Sequence, residues 1–184
     1  MVDTPLGEAA LREAALTHLS RHATTRAGLV RVLDRRVDRW ARTAEGVEAE
    51  TLRVVKTLVR SVADKLAAQG AIDDGAFAES RARKLARSGH SRRAIAAHLA
   101  ARGVAAETVA TRVPVTADDE FAAAIACALR RRIGPFRRKP VDTEGERREL
   151  GMLARAGFGH DIAVRALTLP PDEAEDLIIK LRQT

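Results

Sequence analysis

Gly70-Ala71-Ile72-Asp73-Asp74-Gly75-Ala76-Phe77-Ala78 decides how the rest of the chain is read. A glycine follows a helical apolar pattern, where it suits the left-handed position just past a helix end. Two aspartates then precede a new apolar stripe, where a helix start wants a capping side chain and negative charge. The pattern returns at an offset of 44 as Asp118-Asp119-Glu120-Phe121-Ala122, and the same offset pairs Ala82 with Ala126, Leu85 with Leu129 and Arg87 with Arg131. Further on, Leu99-Ala-Ala-Arg102-Gly103-Val104 returns as Leu153-Ala-Arg155-Ala-Gly157-Phe158 at an offset of 54, so extra residues sit around Gly134 to Pro140. A fainter first copy aligns Arg21, Leu29 and Leu33 with Arg87, Ile95 and Leu99 at an offset of 66. Self-similarity at such a period is the mark of stacked helical units. The expected fold is all-α, an elongated tandem array of three three-helix repeats plus a C-terminal helix. Residues 1–69 form the first repeat with an extended connection and a long third helix, 70–116 the central repeat, and 117–184 the third repeat with the last helix.

Apolar periodicity of 3.6 supports helices through almost the whole chain. Leu11, Ala15 and Leu19 stack on a helix from about Gly7 to His22, and Thr24 or Thr25 caps a second that runs to about Trp40. After a polar loop around Gly46, Leu52, Val55, Val59, Val62 and Leu66 mark a long helix from about Ala49 to Gln69. Phe77, Ala78, Ala82 and Leu85 share a face of the next, which ends at Gly89; Ser91 caps a helix holding Ile95 and Leu99, and a short one follows to Val113. The third round is expected to begin at Asp118, with Asp118 and Asp119 as caps equivalent to Asp73 and Asp74. Two prolines make Gly134 to Pro140 a break, and Thr143 with Glu146 reads as a capping box for the following helix. Helices from about His160 to Leu167 and from Pro170-Pro171 onward complete the chain.

Composition agrees. Of the 184 residues 46% are hydrophobic but only 3% aromatic, with no Tyr and one Trp (Trp40), which suits packed helices better than sheets. A single cysteine, Cys127, lies in the apolar run AAAIACAL, forms no intrachain disulfide and is expected to be a buried small hydrophobe in a reducing compartment. The acidic opening MVDTPLGEAALREAAL has no apolar export core, and no run approaches a membrane-spanning length; the expected location is the cytoplasm.

The sequence offers little catalytic chemistry. The Asp73–Asp74 and Asp118–Asp119 pairs are better explained as helix-start residues than as acid–base dyads. His18 and His22 stand four apart, a spacing that can hold a metal, but no neighbouring Cys or acid completes a site. The glycines occur singly at helix ends, and no phosphate loop or nucleophile turn is present. No enzyme, cofactor or metal is therefore expected. The net charge of +7 points to an anionic partner. From Ser80 to Ala106 the chain carries Arg81, Arg83, Lys84, Arg87, Arg92, Arg93 and Arg102 with no Asp or Glu; a second run holds Arg130, Arg131, Arg132, Arg137, Arg138 and Lys139. Arg81, Lys84 and Arg87 are expected to share a helix face opposite Ala78, Ala82 and Leu85. Phosphate attracts such groups without base readout, whereas stacking on single strands would call for more aromatics.

The ordered set of these motifs resembles the RecX regulatory proteins. Gly70-Ala-Ile-Asp73-Asp74-Gly-Ala-Phe77-Ala78 is similar to the family's central signature, as is its continuation through Arg83, Lys84, Gly89, Ile95, Leu99 and Arg102-Gly103-Val104. Leu153-Ala-Arg155-Ala-Gly157-Phe158 resembles the ending of the third repeat, and Ala14 to Leu33 its weaker first unit, so the likeness runs from about Ala14 to Leu169. The resemblance implies a noncatalytic partner of the recombinase RecA; the expected state is a monomer. Such a protein lies in the groove of the RecA filament on single-stranded DNA and depresses its growth, ATP hydrolysis, strand exchange and co-protease action, with direct contact to DNA phosphate as a possible addition. The stretch Val37 to Glu50 and the basic insertion Gly134 to Pro140 depart from the usual spacing. By charge, the partner-binding residues are Arg81, Lys84, Arg87, Arg92, Arg93, Arg102, Arg130, Arg131, Arg137 and Arg138. The competing reading is a basic helical DNA-binding protein independent of RecA, with Arg92 and Arg93 opening the second helix of a helix-turn-helix-like pair.

Overall fold

The structure, a computed structural model, describes residues 6–44 and 46–183. The first five residues of the opening read above, Glu45 of the 37–50 connection and Thr184 lie outside the described residues. Among the described residues the chain is all-helical: α1 (Glu8–Leu19), α2 (Arg26–Thr43), α3 (Ala49–Ala68), α4 (Asp74–Arg87), α5 (Arg92–Ala101), α6 (Ala106–Arg112), α7 (Ala117–Arg131), a 3-10 turn (Gly134–Phe136), α8 (Thr143–Arg155), α9 (His160–Thr168) and α10 (Pro171–Gln183). The chain packs as two compact units, Met1–Phe77 with Arg102–Ala105, and Ala78–Ala101 with Ala106–Thr184.

The first unit is built on α1, α2 and α3. Leu11 and Ala15 of α1, Leu29, Leu33 and Val37 of α2, and Val55, Val59, Val62, Ala63 and Leu66 of α3 form one buried cluster, with Ile72 beneath it. The i, i+4 spacing puts each set on one stripe, and each fully buried Leu or Val stabilises the unit by roughly 1.5–3 kcal/mol. Ion pairs Lys56–Asp38 (2.9 Å) and Arg26–Asp64 tie α3 to α2 along its rim.

The second unit is centred on α7. Phe121, Ala123, Ala124, Ile125, Ala126, Cys127 and Ala128 are all buried, so this helix is apolar nearly all round, as a helix enclosed by others must be. Leu153 of α8, Ala163 and Ala166 of α9, and Ala174 and Ile178 of α10 close the core around it. Alanines at these contacts let the helices approach closely.

Four boundaries differ from the sequence reading. Helix α7 is capped by Thr116, not Asp118: the Thr116 hydroxyl accepts from the Asp119 N–H (3.1 Å), and the Asp119 carboxylate accepts from the Thr116 N–H (2.9 Å). Asp119 thus serves as the acid of a reciprocal capping box, and Asp118 lies in the first turn. Asp142, not Thr143, caps α8 by accepting from Gly145 N–H at 2.8 Å; aspartate is at least as good a cap as threonine and stands one residue earlier. Helix α2 continues past Trp40 to Thr43, and α1 stops at Leu19.

The internal repeat exists in space as a junction built twice. Within the first unit, the Thr25 hydroxyl caps α2 by accepting from Gly28 N–H (2.9 Å) and donates to the Arg102 carbonyl (2.7 Å). Within the second, the Ser91 hydroxyl caps α5 by accepting from Ala94 N–H (3.2 Å) and donates to the Ala156 carbonyl (2.7 Å). Thr25 and Ser91 are related by the 66-residue offset, Arg102 and Ala156 by the 54-residue one. The next N–H in each helix also finds an acid: Arg26 N–H donates to Asp74 (2.8 Å), Arg92 N–H to Glu120 (2.7 Å). At each junction the following glycine lies against the cap helix. A Cβ on Gly103 would stand 2.3 Å from Ala27 Cβ, and one on Gly157 2.6 Å from Ser91 Oγ. Both hydroxyls are buried, so Thr25→Ala and Ser91→Ala should each cost about 1–2 kcal/mol through loss of the cap. Urea unfolding checks this; a change within a few tenths of a kcal/mol would mean the junction is incidental.

Candidate functional site

The basic residues of the second unit are presented by the turn between α4 and α5 and by the end of α7. Gly89, at φ +76°, lets the chain reverse directly on the α7 backbone, where an added Cβ would stand 2.5 Å from Cys127 N. Beyond that contact Lys84 and Arg87 are exposed on α4, and Arg92 and Arg93 are exposed at the first turn of α5. From α7 the Arg130 guanidinium donates to the Ser88 carbonyl (2.9 Å), joining the second basic run to the first. Arg87 and Arg130 thereby line one groove of about 450 Å³ with Leu129, Ile178 and Leu181, and no carboxylate is among its lining residues. Arg131 and Arg138 are also exposed. Among the described residues none of Lys84, Arg87, Arg92, Arg93, Arg130, Arg131 and Arg138 forms an ion pair. Unpaired cations around an apolar floor suit an acidic partner that also offers a nonpolar side chain. Guanidinium forks suit carboxylate or phosphate oxygens equally.

Three of the charge-selected residues are placed differently from these. Arg81 is half-buried, and its Nε donates to His98 Nε2 at 3.1 Å, so it turns toward α5 and does not share the open face of Lys84 and Arg87. Arg137 is held inside the fold by Glu149 (2.7 Å), a carboxylate that also accepts from Gly134 N–H (3.0 Å). Arg102 belongs to the first unit; its carbonyl accepts from Thr25 and Arg31 while its side chain is exposed. The acid-free stretch also gains an acid through folding: Glu120 of α7 meets the start of α5. Sequence reasoning missed the groove's apolar floor. Its signal was present in α10, where Ala174, Leu177, Ile178 and Leu181 repeat at i, i+3, i+4 and i+7.

Among the described residues no three His, Cys, Asp or Glu side chains converge as metal ligands, and no helix is long and apolar enough to cross a membrane. Comparison with known proteins gives concordant matches. The family description "RecX, second three-helix domain" fits residues 73–111, the stretch that carries α4, α5 and most of α6. Regulatory protein RecX of Myxococcus xanthus is 41% identical over 164 residues, covering 88% of this chain and 86% of that protein. Regulatory protein RecX of Thermobifida fusca is 32% identical over 155 residues, 84% of this chain and 75% of its own. The protein of the same name from Agrobacterium fabrum is 37% identical over 108 residues, 59% and 58% of the two chains. Since the likeness extends across nearly the whole chain and includes the α4–α5 region on which the basic face is built, this protein belongs to the RecX family of regulatory proteins.

Proposed function

We propose that the protein is a noncatalytic regulator of RecA in the cytoplasm: it binds RecA and its filament on single-stranded DNA, occupies the filament groove, and limits filament growth, ATP hydrolysis, strand exchange and co-protease action. The carrying observation is the set of exposed cations without ion pairs on α4, α5 and the end of α7 (Lys84, Arg87, Arg92, Arg93 and Arg130), two of which, Arg87 and Arg130, line the groove floored by Ile178 and Leu181. Family membership supplies the partner. The face supplies the chemistry: long-range attraction to an acidic or phosphate-lined groove raises the encounter rate, and apolar contact with the floor slows release. Arg131, Arg138 and the exposed Arg102 side chain add positive charge; Arg81 and Arg137 are assigned to holding structure more than to contact.

The test is ATP hydrolysis by the cognate RecA on single-stranded DNA, with the protein titrated below one molecule per RecA. A variant carrying Lys84→Glu, Arg87→Glu, Arg92→Glu and Arg93→Glu should require about tenfold more protein for half-inhibition, a loss of about 1.4 kcal/mol, at unchanged melting temperature. If wild-type protein equimolar with RecA changes neither hydrolysis nor filament length, the RecA reading falls and a RecA-independent DNA-binding role replaces it. If the variant inhibits as well as wild type, RecA is the partner but this face is not the contact.

A further inference from the structure

The first unit carries a second cluster of cations that the basic runs did not include. Helix α1 stops at Leu19 with Ser20 as its last-turn cap, so Arg21 and His22 leave the helix in a turn beside His18. The His18 and His22 rings lie with centroids 5.1 Å apart, tilted at 43°. Facing them, α2 presents Arg36 and Arg39, and together with Thr17 and Val32 these groups line a shallow pocket of about 270 Å³. No acid lines this pocket, and no residue of α3 does. Helix α3 meets α1 elsewhere, through the Lys65–Glu8 pair and the Arg12–Gln69 hydrogen bond, and Asp38 of α2 is engaged by Lys56. Among the described residues none of Arg21, Arg35, Arg36 and Arg39 forms an ion pair.

Two imidazoles and three guanidiniums lining one concavity without a counter-charge give it a positive potential that favours an anion. A metal ion on the two histidines is the weaker alternative, because the neighbouring arginines repel it and no third ligand is present. The cluster is also not a point. Arg36, Arg39 and Arg42 are spaced three residues apart and all exposed, so cations continue from the pocket along α2 at intervals of about 4.5 Å. A single carboxylate or free phosphate would use only the pocket. A row fits a linear polyanion with one charge per residue.

We propose that the α1–α2 pocket is a binding site for the phosphate backbone of a single nucleic-acid strand, with His18, Arg21, His22, Arg36 and Arg39 as the phosphate donors and Arg42 extending the track. The site is separate from the α4–α5–α7 face and requires no RecA. Binding here is linked to proton uptake. In the free protein burial, the His22 charge and the Arg35 charge, in that order, hold the His18 pKa below its ordinary value. A phosphate beside His18 favours its imidazolium form, so affinity rises as pH falls through the range near 6.5.

The experiment uses the full chain without RecA and a fluorescein-labelled single-stranded oligothymidylate, read by anisotropy, with histidine ring resonances followed by NMR. The site predicts an upward shift of the His18 titration when the oligonucleotide is added. It also predicts tighter binding at pH 6 than at pH 8, a difference lost in His18→Gln/His22→Gln. Arg36→Gln/Arg39→Gln should lower the slope of log affinity against log salt by about 1.4, at roughly 0.7 per phosphate contact on a single strand. Ring titrations unchanged at saturating oligonucleotide would overturn the proposal, and that reading on wild-type protein does not depend on any variant folding. So would an equal ring shift from inorganic phosphate at the same phosphate concentration, which would make the pocket an isolated-anion site. A larger shift from polyglutamate would reassign it to an acidic protein.

Discussion

Gly89→Val should unfold the second unit's basic face more effectively than any surface substitution on it, at a cost of about 2–6 kcal/mol. Two independent effects add at this position. The backbone is at φ +76°, where a β-branched residue is strained by about 1–3 kcal/mol. The added Cβ would also meet Cys127 N at 2.5 Å, Cys127 Cα at 2.7 Å and Ala126 C at 2.9 Å; these are backbone atoms of the central helix and cannot rotate away. Forcing such an overlap costs about another 1–3 kcal/mol. Gly70 separates the two effects. Its φ is +73°, but nothing lies within 4 Å of its added Cβ, so Gly70→Val should show the strain alone. Urea unfolding of the two variants side by side is the measurement. Equal losses would mean that the close approach of the α4–α5 turn to α7 has no energetic weight. A much larger loss at Gly89, accompanied by loss of RecA inhibition, is the expected result, because that turn orients Arg87, Arg92 and Arg93.

The same position shows what could and could not be read from the sequence. Gly89 is legible as a helix stop, because a lone glycine between an apolar stripe and a serine cap has few other readings. That it rests on the backbone of α7 is not legible, because the contact spans distant parts of the chain and the only trace in sequence is the run of alanines around Cys127. The helices follow from period 3.6 and the repeat, since burial of one stripe per helix leaves a local imprint. Caps were harder where candidates compete: Thr116, Asp118 and Asp119 all suit a helix start, and only the reciprocal hydrogen bonds decide among them. Charge runs were the least reliable guide. Arg81 and Arg87 look equivalent at i and i+6, yet one bonds to His98 and the other is open, and Glu120 approaches the start of α5 from 28 residues away. The His18–His22 spacing is visible in the sequence, but the cation cluster around it is not, because its charges come from two helices and each helix alone shows only an ordinary mixture of charges.

Glu149→Ala should cost about 3 kcal/mol and free the basic insertion at 134–140. Glu149 is only 6% exposed, and its Oε2 is the acceptor for both Gly134 N–H (3.0 Å) and the Arg137 guanidinium (2.7 Å). Arg137 has little else: Glu146 stands 3.9 Å away, and its own Nε is buried without a partner. Removing one member of a buried pair costs about 3–5 kcal/mol, and the lower end applies because a quarter of the Arg137 side chain is exposed and can turn to water. Glu149→Gln keeps an acceptor for Gly134 N–H and should lose less than Glu149→Ala. Replacing both members, as Glu149→Leu with Arg137→Leu, should recover only part of the loss: no guanidinium is then stranded without its carboxylate, but the buried Gly134 N–H still lacks an acceptor. Thermal unfolding orders the three variants. Limited trypsin digestion locates the effect, because cleavage after Arg138 tracks the opening of this segment. If Glu149→Ala is as stable and as resistant at Arg138 as wild type, the carboxylate does not anchor the insertion. If instead the insertion opens while RecA inhibition persists, Arg138 contributes to the partner surface only weakly and the contact rests on α4, α5 and α7.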